Sequence, residues 1–211
     1  AAPLAGDRGF IHVAGELGRK GLTNRAGPYQ GTAPHTGNFP GVGERAFKMG
    51  DPEVDQFAVS ANAAFDIGDS SQLYATLIGS NRDIVSFAFY RSRNHSGQGA
   101  LLAQVYPDGY VPEINQISQD RSVVLGARGS TGSGWNWDIS YNFGENDLDF
   151  YTQNTINYSL GVGSPHRFYT GNLQYRQDVV NADFSRALDL GLAYPATLSL
   201  GAEYRNEEWR Q

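Results

Sequence analysis

Seven stretches of the chain alternate apolar and polar residues with period two. The connections between them run long, short, long, short, long, short. Successive side chains of an extended strand point to opposite faces, so each stretch reads as a strand with one apolar face. The connection lengths add a constraint that few folds meet, because in an up-and-down meander every long connection then lies at one end of the sheet. A soluble sandwich has no reason to sort its loops in this way. A transmembrane β-barrel does, with short periplasmic turns and long external loops. Strands of about ten residues also suit a tilted crossing of the hydrocarbon layer. The expected fold is all-β, an antiparallel up-and-down meander forming part of a transmembrane β-barrel.

The first strand covers residues 9–19, with Ile11, Val13, Gly15 and Leu17 opposite His12, Ala14, Glu16 and Gly18. About thirty residues rich in breakers follow, among them Gly27-Pro28, Gly37-Asn38 and Pro40-Gly41. Residues 56–67 place Phe57, Val59, Ala61, Ala63, Phe65 and Ile67 on one face; after the turn signal Gly68-Asp69-Ser70-Ser71, residues 72–80 return. The facing of that return is open, since Leu73, Ala75 and Leu77 compete with Tyr74, Thr76 and Ile78. Residues 81–118 read as irregular, with an extended piece near 85–90. Residues 120–129 form the next strand, and Ser130-Thr131-Gly132-Ser133-Gly134 the next turn. Residues 135–144 alternate without an error: Trp135, Trp137, Ile139, Tyr141 and Phe143 against Asn136, Asp138, Ser140, Asn142 and Gly144. After a third irregular stretch, 145–171, come Val180, Ala182 and Phe184, then a connection near Pro195, then Leu198, Leu200, Ala202 and Tyr204.

Alternation alone does not say which face is wet. The polar-face positions are rich in small residues (Ala14, Gly18, Ala58, Ser60, Ser140, Gly144, Ser199, Gly201), as expected where something packs inside a lumen. Trp135, Trp137 and Tyr204 stand near strand ends on the apolar face, where interfacial aromatic girdles sit. The 26 Gly, 12 Tyr and 11 Phe against one Met favour strands and turns over helices. No apolar run approaches the ~18 residues of a membrane-spanning helix. With no Cys there is no disulfide scaffold, thiolate zinc site or thiol nucleophile. A net charge of -6 without a basic stripe argues against a nucleic-acid partner. Residues 1–6 carry neither a basic region nor an apolar core, so any secretion signal is expected upstream of Ala1.

Candidate chemistry is sparse. His12, His35, His95 and His166 have no metal-ligand spacing. Asp147-Leu148-Asp149 and Gly50-Asp51-Pro52-Glu53 lack the periodicity of a calcium loop, and Asp66 and Asp69 read as turn formers. The Gly-rich turn 130–134 has no Lys and no following helix, so it is no phosphate cradle. Nothing positions Glu203 and Glu207 around a substrate, and no serine is marked as activated. The expectation is a non-enzyme with no catalytic residue, metal or cofactor. The segment Phe87-Ala88-Phe89-Tyr90-Arg91-Ser92-Arg93-Asn94-His95 mixes aromatic and cationic side chains, which could hold an anionic or aromatic ligand or pack on their neighbours.

Several pieces, in order along most of the chain, resemble the barrel of TonB-dependent outer-membrane receptors of Gram-negative proteobacteria. They are Gly9-Phe10-Ile11-His12-Val13-Ala14-Gly15-Glu16, Asp69-Ser70-Ser71-Gln72-Leu73-Tyr74, Tyr106-Pro107-Asp108-Gly109-Tyr110-Val111-Pro112, Asn154-Thr155-Ile156-Asn157 leading to Ser164-Pro165, and Leu198-Ser199-Leu200-Gly201-Ala202-Glu203-Tyr204-Arg205-Asn206-Glu207. The resemblance implies residence in the outer membrane, in contact with its lipid, and a large barrel occluded by an N-terminal plug domain and energised through TonB. It implies uptake of a bulky ligand such as a siderophore, a cobalamin or an oligosaccharide. The chain shows no plug-like segment and no TonB box, and about seven strands fall short of the ~22 of a plugged transporter. Residues 1–211 are therefore expected to be a partial barrel domain that transports nothing by itself. Two other readings stay open at this point: a soluble all-β carbohydrate-binding module using Trp135 and Trp137, and a passive porin.

Overall fold

A computed structural model describes residues 2–4, 6, 8–31 and 40–211. Eight strands lie within them: β1 (Ala2–Leu4), β2 (Gly9–Lys20), β3 (Glu53–Ile67), β4 (Ser71–Phe87), β5 (Glu113–Ser130), β6 (Trp135–Gln153), β7 (Arg167–Leu188) and β8 (Ala196–Arg210). They form one sheet in chain order, every neighbouring pair antiparallel. The sheet is open, with β1 and β8 at its edges. The all-β up-and-down meander read from the alternation is the observed topology. It has eight strands where the alternation gives about seven, the extra one being the three-residue β1. All short connections (5–8, 68–70, 131–134 and 189–195) lie at one end, and all long ones (21–52, 88–112 and 154–166) at the other.

The strands overrun their expected limits. From β2 to β8 they span 12 to 22 residues. The stretch 81–118 holds the end of β4, a short helix α1 (Gly99–Val105) and the start of β5. The stretch 145–171 holds the second half of β6, a 3-10 turn (Tyr158–Gly163) and the start of β7. For β6 the physical reason is a change of phase. Beyond Phe143 the apolar face of β6 continues with Glu145, Asp147 and Asp149, while Leu148 and Phe150 appear on the opposite face. The strand goes on but its polarity inverts, which in a sequence looks like an ending.

Register aligns the faces across the sheet. Ile139 pairs with Ala127 on β5 and Ala182 on β7, and the same row continues to Leu73, Phe65 and Ala202. The next row holds Ile11, Ala63, Ala75, Leu125, Tyr141, Val180 and Tyr204. The open facing of β4 is thereby decided: Leu73, Ala75 and Leu77 join the apolar face, and Tyr74, Thr76 and Ile78 the other. At the β5–β6 turn the amide of Gly134 donates to the carbonyl of Thr131 (2.9 Å), with Gly134 at φ +82°, a conformation that side-chain-bearing residues avoid.

No second layer packs on either face among the described residues; strands contact their sheet neighbours, and α1 contacts the 3-10 turn of the 154–166 loop. The buried hydrophobic cluster lies in the long loops, around Leu102, Tyr110 and Ile156.

Candidate functional site

Three surfaces carry the chemistry: the apolar face, the polar face and the loop cluster. On the apolar face Leu17, Phe57, Leu77, Leu125, Ile139 and Leu200 are 46–85% exposed. Leaving one such side chain in water forgoes roughly 1.5–3 kcal/mol of burial. A contiguous patch of this extent marks a surface made to meet something apolar. Trp135 and Trp137 stand on it at the short-turn end, in rows with Leu198 and with Phe184 and Leu200. Tyr204 is the last apolar residue of β8 before Asn206.

The polar face is knitted by side chains that reach across strands. Gln72 donates to Asp66 (2.7 Å) and accepts from Arg128 (2.7 and 3.0 Å). Thr76 donates to Asn62 (2.9 Å). Asp120 accepts from Ser80 (3.0 Å), Arg82 (3.2 Å) and Asn146 (2.7 Å). Cross-strand pairs of this kind fix register on a wet face. The small residues Ala14, Ser60 and Gly144 share one row there, and Ser140, Ser199 and Gly201 lie on the same face. Asp138 and Asp183 stand directly opposite each other, an arrangement that like charges tolerate only with good hydration or partners. An open cavity of about 1050 Å³ at the short-turn end is lined by both, with Asp66, Gln72, Arg128 and Ser199.

Gly126 shows how tightly this face is built. Tyr74, its partner on β4, lays its ring across the position where a Cβ would stand, and its hydroxyl donates to Asp138 (2.7 Å) two strands away. A G126V variant should lose about 1–3 kcal/mol through forced displacement of that ring. Urea titration of the folded protein measures the loss, and a second substitution, Y74A, should relieve part of it.

The loop cluster joins the 88–112 and 154–166 loops. Leu102 of α1 is fully buried (0% exposed) against Tyr110 and Ile156, flanked by Leu101, Val105, Tyr106 and Tyr158. Tyr106 stacks on Tyr110 (centroids 4.3 Å apart) and shares a hydrogen bond with Nδ1 of His166 (2.6 Å); the Tyr110 and Tyr158 hydroxyls lie 3.0 Å apart. Asn154 donates to the carbonyl of Val111 (2.9 Å). Burial, and then the bond to Tyr158, push the Tyr110 hydroxyl far above its ordinary pKa; burial raises Tyr106 as well. His95, whose ring lies 6.4 Å from that of Tyr158, is held below the ordinary value near 6.5 by burial and then by Arg91. A depressed histidine pKa stabilises the folded loops above the unfolded value and loses that contribution as pH falls through the folded one. Amide exchange of residues 95–112, corrected for intrinsic rates, should therefore quicken as the pH falls below the ordinary histidine value near 6.5. The H95Q variant should flatten that dependence.

The mixed segment 87–95 spends its side chains on neighbours. Lys48 Nζ sits over the Phe87 ring (4.0 Å), Tyr90 is buried and donates to the carbonyl of Asp108 (2.9 Å), and Arg93 reaches Glu44 (3.5 Å). Phe89 alone of its aromatics is exposed. The acids set aside in the sequence find internal partners: Asp51 with Lys20 (3.1 Å), Asp147 with Asn172 and Gln174, Asp149 with Tyr169, Glu203 and Glu207 with Arg205. His95 and His166 both border the loop cluster, a juxtaposition that sequence spacing gave no sign of. His12 lies on the polar face in the row of Asn62 and Asn142, and His35 lies outside the described residues. Among the described residues no group of three or more His, Asp or Glu side chains could hold a metal ion. No protein-family model matches the chain, and neither a curated protein nor a solved structure is significantly similar to it.

Proposed function

We propose that this chain is a stretch of wall from a transmembrane β-barrel, in an outer-membrane receptor that takes up a bulky nutrient with energy delivered through TonB. The observation that carries the membrane part is the pairing of two opposite faces. One is a band of exposed apolar side chains with no protein cover among the described residues, and the other a hydrogen-bonded polar surface. In a bilayer the first face meets acyl chains and the second lines a wet lumen. The sorting of turns and loops to opposite ends supports the same reading. The receptor part rests on the sequence resemblance, with the long loops as the surface that meets a siderophore, cobalamin or oligosaccharide from outside.

In this account the chain performs no bond chemistry. The packed loops present a shaped outer rim, the apolar face holds the wall in lipid, and the polar face surrounds a plug domain whose displacement opens a path. Deleting the gene should abolish energy-dependent uptake of one bulky nutrient, and loss of TonB should reproduce that defect. Uptake that persists without TonB would point to a passive porin. Recovery of the intact protein in the soluble fraction, without detergent, would contradict the membrane assignment.

A further inference from the structure

The edges of the apolar band do not run straight across the sheet. Towards the long-loop end, the first polar residue on the apolar face is Arg19 on β2, Asp55 on β3, Asn81 on β4, Arg121 on β5, Glu145 on β6, Asp178 on β7 and Asn206 on β8. Pairing fixes how these positions relate. Arg19 and Asp55 share one cross-strand row. Asn81 lies one row nearer the short turns, Arg121 and Glu145 two, and Asp178 and Asn206 three. Each row is two residues, so the edge drifts by about one residue per strand from β2 to β8.

The opposite edge drifts the same way. The pairs that close the four short connections are Leu4–Gly9, Ile67–Ser71, Ser130–Asn136 and Leu188–Ala196. Carried through the register onto β6, they fall level with Ile139, Trp137, Asn136 and a point some two residues before Trp135. That is again about one residue per strand. Polar boundary and turns are set by unrelated residues, yet they run parallel.

We infer that the hydrocarbon layer cuts this sheet on the diagonal, bounded by the Arg19-to-Asn206 line and by the line of short turns. The strands then lean about 35° from the membrane normal. The angle follows from a rise of ~3.4 Å per residue against a strand spacing of ~4.8 Å, and it falls in the range of closed membrane barrels. On β6 the lipid-facing run from Trp135 to Phe143 then spans about 20–25 Å of thickness. The partner this surface fits is a hydrocarbon slab of that depth. The upper halves of β6 and β7, where the faces exchange polarity, stand clear of it on the outer side. The inference rests on the membrane reading above and adds the position of both boundaries.

Depth measurement tests it. Val13 and Asn206 lie in one cross-strand row, six strands apart. Upright strands would put them at equal depth, whereas the diagonal puts Val13 ~16 Å deeper. Leu17 and Tyr204 lie three rows apart, and the diagonal puts them level. Single-cysteine nitroxides at the four positions of the intact protein, in phosphatidylcholine vesicles, report depth through the ratio of oxygen to aqueous nickel-complex accessibility. Ile11 and Tyr204, also sharing a row, form a second pair should a label at Val13 or Asn206 prevent folding. A deep Val13, an interfacial Asn206 and level Leu17 and Tyr204 are expected. Equal depth for Val13 and Asn206 with both in lipid overturns the diagonal and leaves the membrane reading standing. Absence of oxygen preference at all four positions overturns both.

Discussion

Replacing Ile139 by lysine is expected to destabilise the protein in a bilayer by roughly 2–4 kcal/mol, whereas lysine at Ser140 should cost far less. The two positions are adjacent on β6 and lie on opposite faces of the sheet. Ile139 is flanked by Ala127 and Ala182, near the middle of the apolar band, so an ammonium there has neither water nor a counter-ion within reach. Ser140 lies between Gly126 and Asn181 on the polar face, with the carboxylate of Asp138 two residues away on the same face. Reversible urea unfolding in phospholipid vesicles measures both variants. Equal losses at 139 and 140 would mean that the two faces do not differ in solvent.

The second large effect belongs to the loops. L102A should weaken the loop cluster by about 2–3 kcal/mol, the lower part of the range for buried leucines, because a small surface cluster can partly collapse into the space left. The loss should be local. Amide exchange in residues 99–112 and 154–166 should quicken roughly 30- to 150-fold, with β3 to β7 unchanged. Both loops should respond together, since Leu102 and Tyr110 of one pack on Ile156 of the other. Faster exchange in the first loop alone would show that the two do not form one unit.

The apolar halves of the strands were legible because period-two alternation there is nearly free of error, as from Trp135 to Phe143. Connection lengths gave the topology, since a meander is the simplest path through strands joined alternately by short turns and long loops. The upper halves of β6 and β7 were hidden by the phase change. Asp147 and Asp149 on one face of β6, against Leu148 and Phe150 on the other, read as irregular chain unless the exchange of surroundings at the boundary is allowed for. Facing on β4 was undetermined because Ile78 sits on the polar face and Ala75 on the apolar one; only pairing with Ala63 and Leu125 decides it. The loop cluster was illegible for a different reason. Leu102, Tyr110 and Ile156 come from two loops separated by β5 and β6, and no local pattern announces a contact of that kind.

Contact between the apolar face of this sheet and lipid is tested most directly by facing along a single strand. With no native cysteine in the chain, single-cysteine spin labels can be placed at Trp137, Ile139 and Tyr141, and at Asp138, Ser140 and Asn142, in the intact protein in bilayers. The first set should relax with lipid-soluble oxygen and ignore an aqueous metal complex. The second should respond to the aqueous complex or be shielded by a plug. If labels at 137, 139 and 141 are shielded from both reagents, the apolar face is the core of a protein and the membrane account is wrong.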